Sequence, residues 1–184
     1  GKEKRDLLRE QIELARNDQE QASEEFKDAL TGLKEMYGYS GGDLEKIYDS
    51  LSGDYRDVVE RVDIVDDRIE KVQRISSDLF AEWRDEIDEI ANPEFKAASL
   101  RKLKTTRTRY ENLEKAMLTA RKRMTPVVVT LKDYVLYLKH NLNAQAIGAL
   151  KSEVSQIEAD IDLLVRDIRK SIQAADVFLA EYNQ

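Results

Sequence analysis

The sequence has no cysteine, one histidine, one tryptophan, two prolines and seven glycines among 184 residues. Without cysteine there is no disulfide, no thiolate nucleophile and no zinc–thiolate site. With His140 as the only histidine, the Glu-x-x-His pairs with which helix bundles hold two metal ions cannot be assembled. No stretch approaches the roughly 18 to 20 apolar residues of a membrane span. No phosphate-cradling G-x-x-x-x-G-K-[ST] loop occurs, and Gly41 with Gly42 reads as a turn. No signal peptide is visible; because the chain opens at Gly1 rather than Met, a targeting segment is expected to have been removed.

What the chain does have is charge and regular apolar spacing. Charged residues make up 36% and hydrophobic residues 41%, the profile of long, heavily solvated helices. Leu8, Ile12, Ala15, Gln19, Ala22, Phe26, Ala29, Leu33 and Met36 recur at alternating spacings of four and three. That is a heptad seam on one long helix, expected over residues 3–37. Glycines 38, 41 and 42 suit a reversal, after which Asp43 can cap the next helix.

The second helix, expected over 43–91, carries Tyr55, Val58, Val62, Val65, Ile69, Val72, Ser76, Leu79 and Trp83 on its seam, with a break expected near residues 52–53. Asn92 and Pro93 end it and open a third helix over 94–141. Its seam runs through Leu100, Leu103, Arg107, Tyr110, Leu113, Met117, Ala120, Met124, Val128, Leu131, Val135, Leu138 and Leu142, with a kink expected at Pro126. A fourth helix over 143–183 presents Ile147, Leu150, Val154, Ile157, Ile161, Leu164, Ile168, Ile172, Ala175, Leu179 and Tyr182. Short connections between long helices force antiparallel neighbours, so the expected fold is an all-α, elongated antiparallel four-helix bundle in a single domain. Arg107, Gln19 and Ser76 are the polar interruptions of the seams, and a buried polar layer that fixes register is expected of them.

Charge is uneven along the chain. Its formal net value is -7, yet residues 93–142 hold twelve basic and four acidic residues. The overall balance weighs against a nucleic-acid binder and leaves room for a local basic face. Arg101, Lys102, Lys104, Arg107, Arg109, Lys115, Arg121, Lys122 and Arg123 form the one dense basic run. Its plainest role is pairing with the acidic helices beside it; binding of an anionic lipid surface is the alternative. Carboxylate pairs such as Asp66 with Asp67 and Asp85 with Glu86 are adjacent on a helix and diverge, so they read as a solvated face rather than an acid/base dyad. His140 has no recognisable catalytic partner and is expected to satisfy a last-turn carbonyl. Tyr37, Tyr39, Tyr48 and Tyr55 gather around the first turn as end packing or a contact patch, and Trp83 reads as core.

The passage YVLYLKHNLNAQAIGAL at 134–150 resembles the hallmark box of an uncharacterised bacterial family of envelope lipoproteins, classed as a domain of unknown function. KRDLL at 4–8, GGDLEKIYD at 41–49, FAEW at 80–83 and MTPV at 124–127 follow the same order. The resemblance implies a periplasmic domain, lipid-anchored through a cysteine upstream of Gly1, and no established activity. The box itself also has a structural explanation. His140, Asn141 and Asn143 suit a helix end, a turn and a cap, while Ala144 and Gly148, four apart, are expected to let two backbones approach closely.

No cofactor or metal is expected. The function expected is that of a non-enzymatic scaffold or partner-binding module of the bacterial envelope, working on another envelope protein or by self-association. The alternative is a peripheral protein that docks its basic third helix on anionic membrane.

Overall fold

Asp43, Asn92 and Asn143 each hold an extended backbone just before a helix, and each side chain accepts hydrogen bonds from the amides of the first turn. Asp43 takes those of Glu45 and Lys46, at 2.9 and 3.3 Å. Asn92 takes those of Glu94 and Phe95, and Asn143 that of Ala146. Each cap satisfies amides that a helix start leaves without partners and contributes about 1 kcal/mol. The computed structural model describes residues 2–38 and 42–183, without the side chains of Lys2 and Tyr37. Four helices result: α1 (Lys2–Glu35), which ends in a 3-10 turn at Met36–Gly38, α2 (Leu44–Asp88), α3 (Pro93–His140) and α4 (Ala144–Tyr182). At 1.5 Å per residue, the 48 residues of α3 span about 70 Å.

Each helix packs antiparallel on its neighbours in sequence, and α1 closes the ring against α4. The ion pairs show how regular the register is. Lys4 meets Glu82, Asp18 meets Arg68 and Glu25 meets Arg61, so every step forward on α1 is matched by an equal step back on α2. The same holds for Arg109–Glu181 and Arg123–Asp167 between α3 and α4, and for Arg9–Asn183 and Arg16–Asp176 between α1 and α4. Constant register over several heptads is what seams of matching period produce.

All nine seam residues of α1 are buried, as are Val58 through Leu79 on the seam of α2. Full burial of each Leu, Ile, Val or Phe contributes about 1.5 to 3 kcal/mol, which makes the seams the main source of cohesion. Gln19 and Ser76 lie inside the core as expected.

Several expectations need correction. α2 runs unbroken through Ser52 and Gly53; one glycine costs about 1 kcal/mol in a helix, which Leu51 and Val58, buried on either side, offset. The expectation that Pro126 does not stop α3 holds, since the helix continues through it. Pro126 is solvent-exposed, and the hydroxyl of Thr130 donates to its carbonyl at 2.9 Å. Arg107 is not in a buried layer. It is exposed and lays its guanidinium over the Phe80 ring, 5.6 Å from the centroid. On α4 the buried positions after Ile168 are Ser171, Ala175 and Phe178, with Ile172 and Leu179 at the flank. On α3, Val127 is buried and Val128 flanks it, while Leu142 lies past the end of α3 and is exposed.

Candidate functional site

Near the start of α1, five aromatic rings form an arc across three helices. Trp83 and Phe80 of α2 stack with centroids 6.5 Å apart, Phe80 meets Tyr110 of α3 at 5.8 Å, Tyr110 meets Phe178 of α4 edge-on at 6.2 Å, and Phe178 stacks on Tyr182 at 5.1 Å. Such pairs add about 0.5 to 1.5 kcal/mol each beyond burial, so the arc is a stiff floor. α1 closes both of its ends. The Arg5 guanidinium lies 4.3 Å from the Trp83 centroid and that of Arg9 lies 5.8 Å from Tyr182. The Tyr182 hydroxyl donates to the carbonyl of Arg5 at 3.1 Å, and burial pushes its pKa up to about 12. Burial likewise raises that of Tyr110.

A cleft of about 390 Å³ opens beside this arc. Arg5 and Arg9 of α1 line it, as do Lys102, Thr105, Thr106 and Arg109 of α3. Among the described residues, four cations line it against one carboxylate, that of Glu181. Arg109 pairs with Glu181 at 2.9 Å, and Arg9 donates to Asn183 at 2.6 Å and to Asp6 at 3.1 Å. Arg5 and Lys102 have no carboxylate within ion-pair distance among the described residues. Cations left unneutralised beside a cavity make it a place of positive potential.

The rest of the basic run spreads around α3. Arg121 reaches α2, where its Nε donates to Asp66, and Arg123 reaches α4, where its Nε donates to Asp167. Lys122, between them, is exposed. Of the twelve basic residues on α3, Arg109, Arg121 and Arg123 form ion pairs with other helices; Arg101, Lys102, Lys104, Lys115, Lys122, Lys132 and Lys139 form none among the described residues. Leu118, Lys122, Thr125, Val129, Lys132, Leu136 and Lys139 are all exposed and recur at spacings of four and three. Leu118, Val129 and Leu136 keep 42%, 53% and 43% of their surface in solvent. α3 thus carries a second, outward heptad stripe in which apolar side chains alternate with lysines.

At the α3–α4 turn, Asn141 Nδ2 donates to the Tyr137 carbonyl at 3.0 Å. The last-turn carbonyl is therefore served by Asn141 rather than by the exposed His140. Ala144 and Gly148 also point outward, and a methyl group on Gly148 would meet nothing within 4 Å. The close approach expected of them is absent, because Ala146, Ile147 and Leu150 hold the inward phase of α4.

A family model described as "Protein of unknown function (DUF2959)" matches residues 1–182. The chain belongs to this family. No curated protein and no solved structure matches it.

In this DUF2959 chain the basic run is not brought together as one site. Lys102 and Arg109 line the cleft, Arg121 and Arg123 tie α3 to its neighbours, and the lysines of the stripe face solvent. Trp83, expected in the core, is half-buried at the cleft wall. Arg5 and Arg9 went unnoticed in the sequence because nothing local distinguishes them from other surface arginines. Tyr48 and Tyr55 pack partly against the core, while Tyr39 and the side chain of Tyr37 lie outside the described residues. Among the described residues no helix is long and apolar enough to cross a membrane, and no group of three or more His, Asp or Glu side chains could hold a metal ion.

Proposed function

We propose that the chain is a non-enzymatic helical scaffold of the bacterial cell envelope, which binds a partner protein through the outer face of α3. The outward stripe from Leu118 to Lys139 carries the proposal. The inward seams are already occupied by one another, whereas this stripe presents heptad-spaced apolar side chains with no helix against them. A second amphipathic helix lays its apolar face on such a stripe, and lysines between the apolar positions select one flanked by carboxylates. Envelope placement and a lipid anchor rest on the resemblance carried by residues 134–150.

The test is a photo-crosslinking side chain at position 129 in the producing cell. A discrete adduct, abolished by Leu118→Glu with Leu136→Glu, is the expected result. Light scattering on the purified chain then tells a foreign partner from a second copy. No adduct at 129, or one indifferent to those two substitutions, defeats the reading.

The unpaired lysines of α3 favour a second reading, docking on anionic membrane. Flotation with anionic vesicles that fails even at low salt removes it.

A further inference from the structure

We propose that the cleft between α1 and α3 binds a phosphate-bearing ligand, with Arg5 and Lys102 as its principal anion contacts. This goes beyond the partner-binding reading and uses a different surface.

Three observations converge on it. First, the cavity, at about 390 Å³, falls within the ordinary range of small-ligand sites. Second, its arginines are positioned rather than loose. The guanidinium carbon of Arg5 lies over the Trp83 ring and that of Arg9 over Tyr182; Arg9 already donates to Asn183 and Asp6, which leaves Arg5 as the arginine with donors to spare. A guanidinium already held against a ring offers its N–H donors to an oxyanion with little further loss of freedom. Third, the charge is incompletely answered from within: Arg9 and Arg109 have carboxylate partners, and Arg5 and Lys102 have none among the described residues.

The donors select the ligand class. They come from two different helices, Arg5 from α1 and Lys102 with Thr105 and Thr106 from α3. A carboxylate accepts hydrogen bonds mainly in one plane, whereas a phosphate group accepts them from several directions at once. Two unanswered positive charges also match a phosphate dianion. A free phosphate ester and a lipid headgroup share that chemistry, and the experiment separates them.

Trp83 is the only tryptophan in the chain and forms part of the cleft wall, so its fluorescence reports occupancy directly. The full chain is titrated with inorganic pyrophosphate, and separately with phosphatidylcholine vesicles with and without phosphatidic acid. Each titration is repeated in Lys102→Ala, in Arg5→Lys, which keeps charge but loses the fork, and in Lys122→Ala, which lies outside the cleft. Circular dichroism confirms that each variant is folded. A saturable response to pyrophosphate, weakened at least tenfold in Lys102→Ala and Arg5→Lys and unchanged in Lys122→Ala, establishes a soluble phosphate ligand. The same pattern confined to phosphatidic acid vesicles establishes a headgroup. No saturable response to either probe overturns the proposal, as does a response that Lys122→Ala weakens as much as Lys102→Ala.

Discussion

Arg68 of α2 reaches between helices to Asp18 of α1, its Nε donating to the carboxylate at 2.9 Å while its Nη1 donates to Gln11 at 2.6 Å. Both side chains are largely shielded from water, Arg68 at 22% and Asp18 at 14% exposure. Screening by solvent and salt is weaker there than at the other α1–α2 pairs. Asp18→Ala leaves Arg68 without its carboxylate and should cost about 1 to 3 kcal/mol. Lys4→Ala, which removes an exposed partner of Glu82, should leave stability nearly unchanged. Urea unfolding of the two variants checks the contrast, and equal losses would refute it.

Asp54 gives the fold a pH dependence of unusual sign. Burial first, then the carboxylates of Asp57, Asp28, Glu25 and Glu35, push its pKa up to about 6 from an ordinary 3.8. The folded state therefore holds a proton more tightly than the unfolded chain, and protonation favours folding. Stability should rise as pH falls from 7 through 6 and level off below about 4. The Lys4 hydrogen bond lowers Glu82 from an ordinary 4.5 to about 2, so what that residue contributes is lost as pH falls from about 4.5 through 2. In Asp54→Asn the gain between pH 7 and 5 should shrink in thermal melts. Gly32→Ala should shrink it as well, because the new methyl group would stand 2.6 Å from the Asp54 carboxylate and displace it toward water.

Gln19 is 1% exposed, and neither its amide nitrogen nor its amide oxygen has a hydrogen-bond partner. A buried polar group without a partner costs about 1 to 3 kcal/mol. Gln19→Leu should raise the urea midpoint by a corresponding amount with the slope unchanged. A lower midpoint would mean that Gln19 is satisfied by buried water, and the argument would fail.

Two neighbours in the turn box should respond in opposite ways. Gly148→Ala adds a methyl group in open space on a helix and should stabilise by up to about 1 kcal/mol. Ile147→Ala empties a core position that is 1% exposed and should cost about 2 to 5 kcal/mol. A destabilising Gly148→Ala would restore the close-approach role first expected of that glycine.

Helix number, direction and most of the core were legible because they follow from short-range pattern. The nine-residue seam of α1, the caps at Asp43 and Asn143, and the stop at Asn92 and Pro93 each depend on residues within a turn or two of one another. Local reading failed where the two flanks of a seam compete. Ile172 and Ser171 are adjacent, and apolarity alone favours Ile172, yet the neighbouring helices enclose Ser171. Arg107 failed similarly, since spacing gave it a seam position and its charge kept the head group in water above Phe80.

The amino-acid sequence determined by itself that four long helices form and which stripe of each turns inward, because a period near 3.5 is a property of a single helix. The tertiary structure alone decided that Arg5 meets Trp83, that Arg9 meets Tyr182 and that Lys102 lines the same cleft. Sliding α1 by one helical turn, 5.4 Å, would leave its apolar stripe facing inward and take that cleft apart. What prevents the slide is the fit of side chains and ion pairs between helices, at positions far apart in the chain.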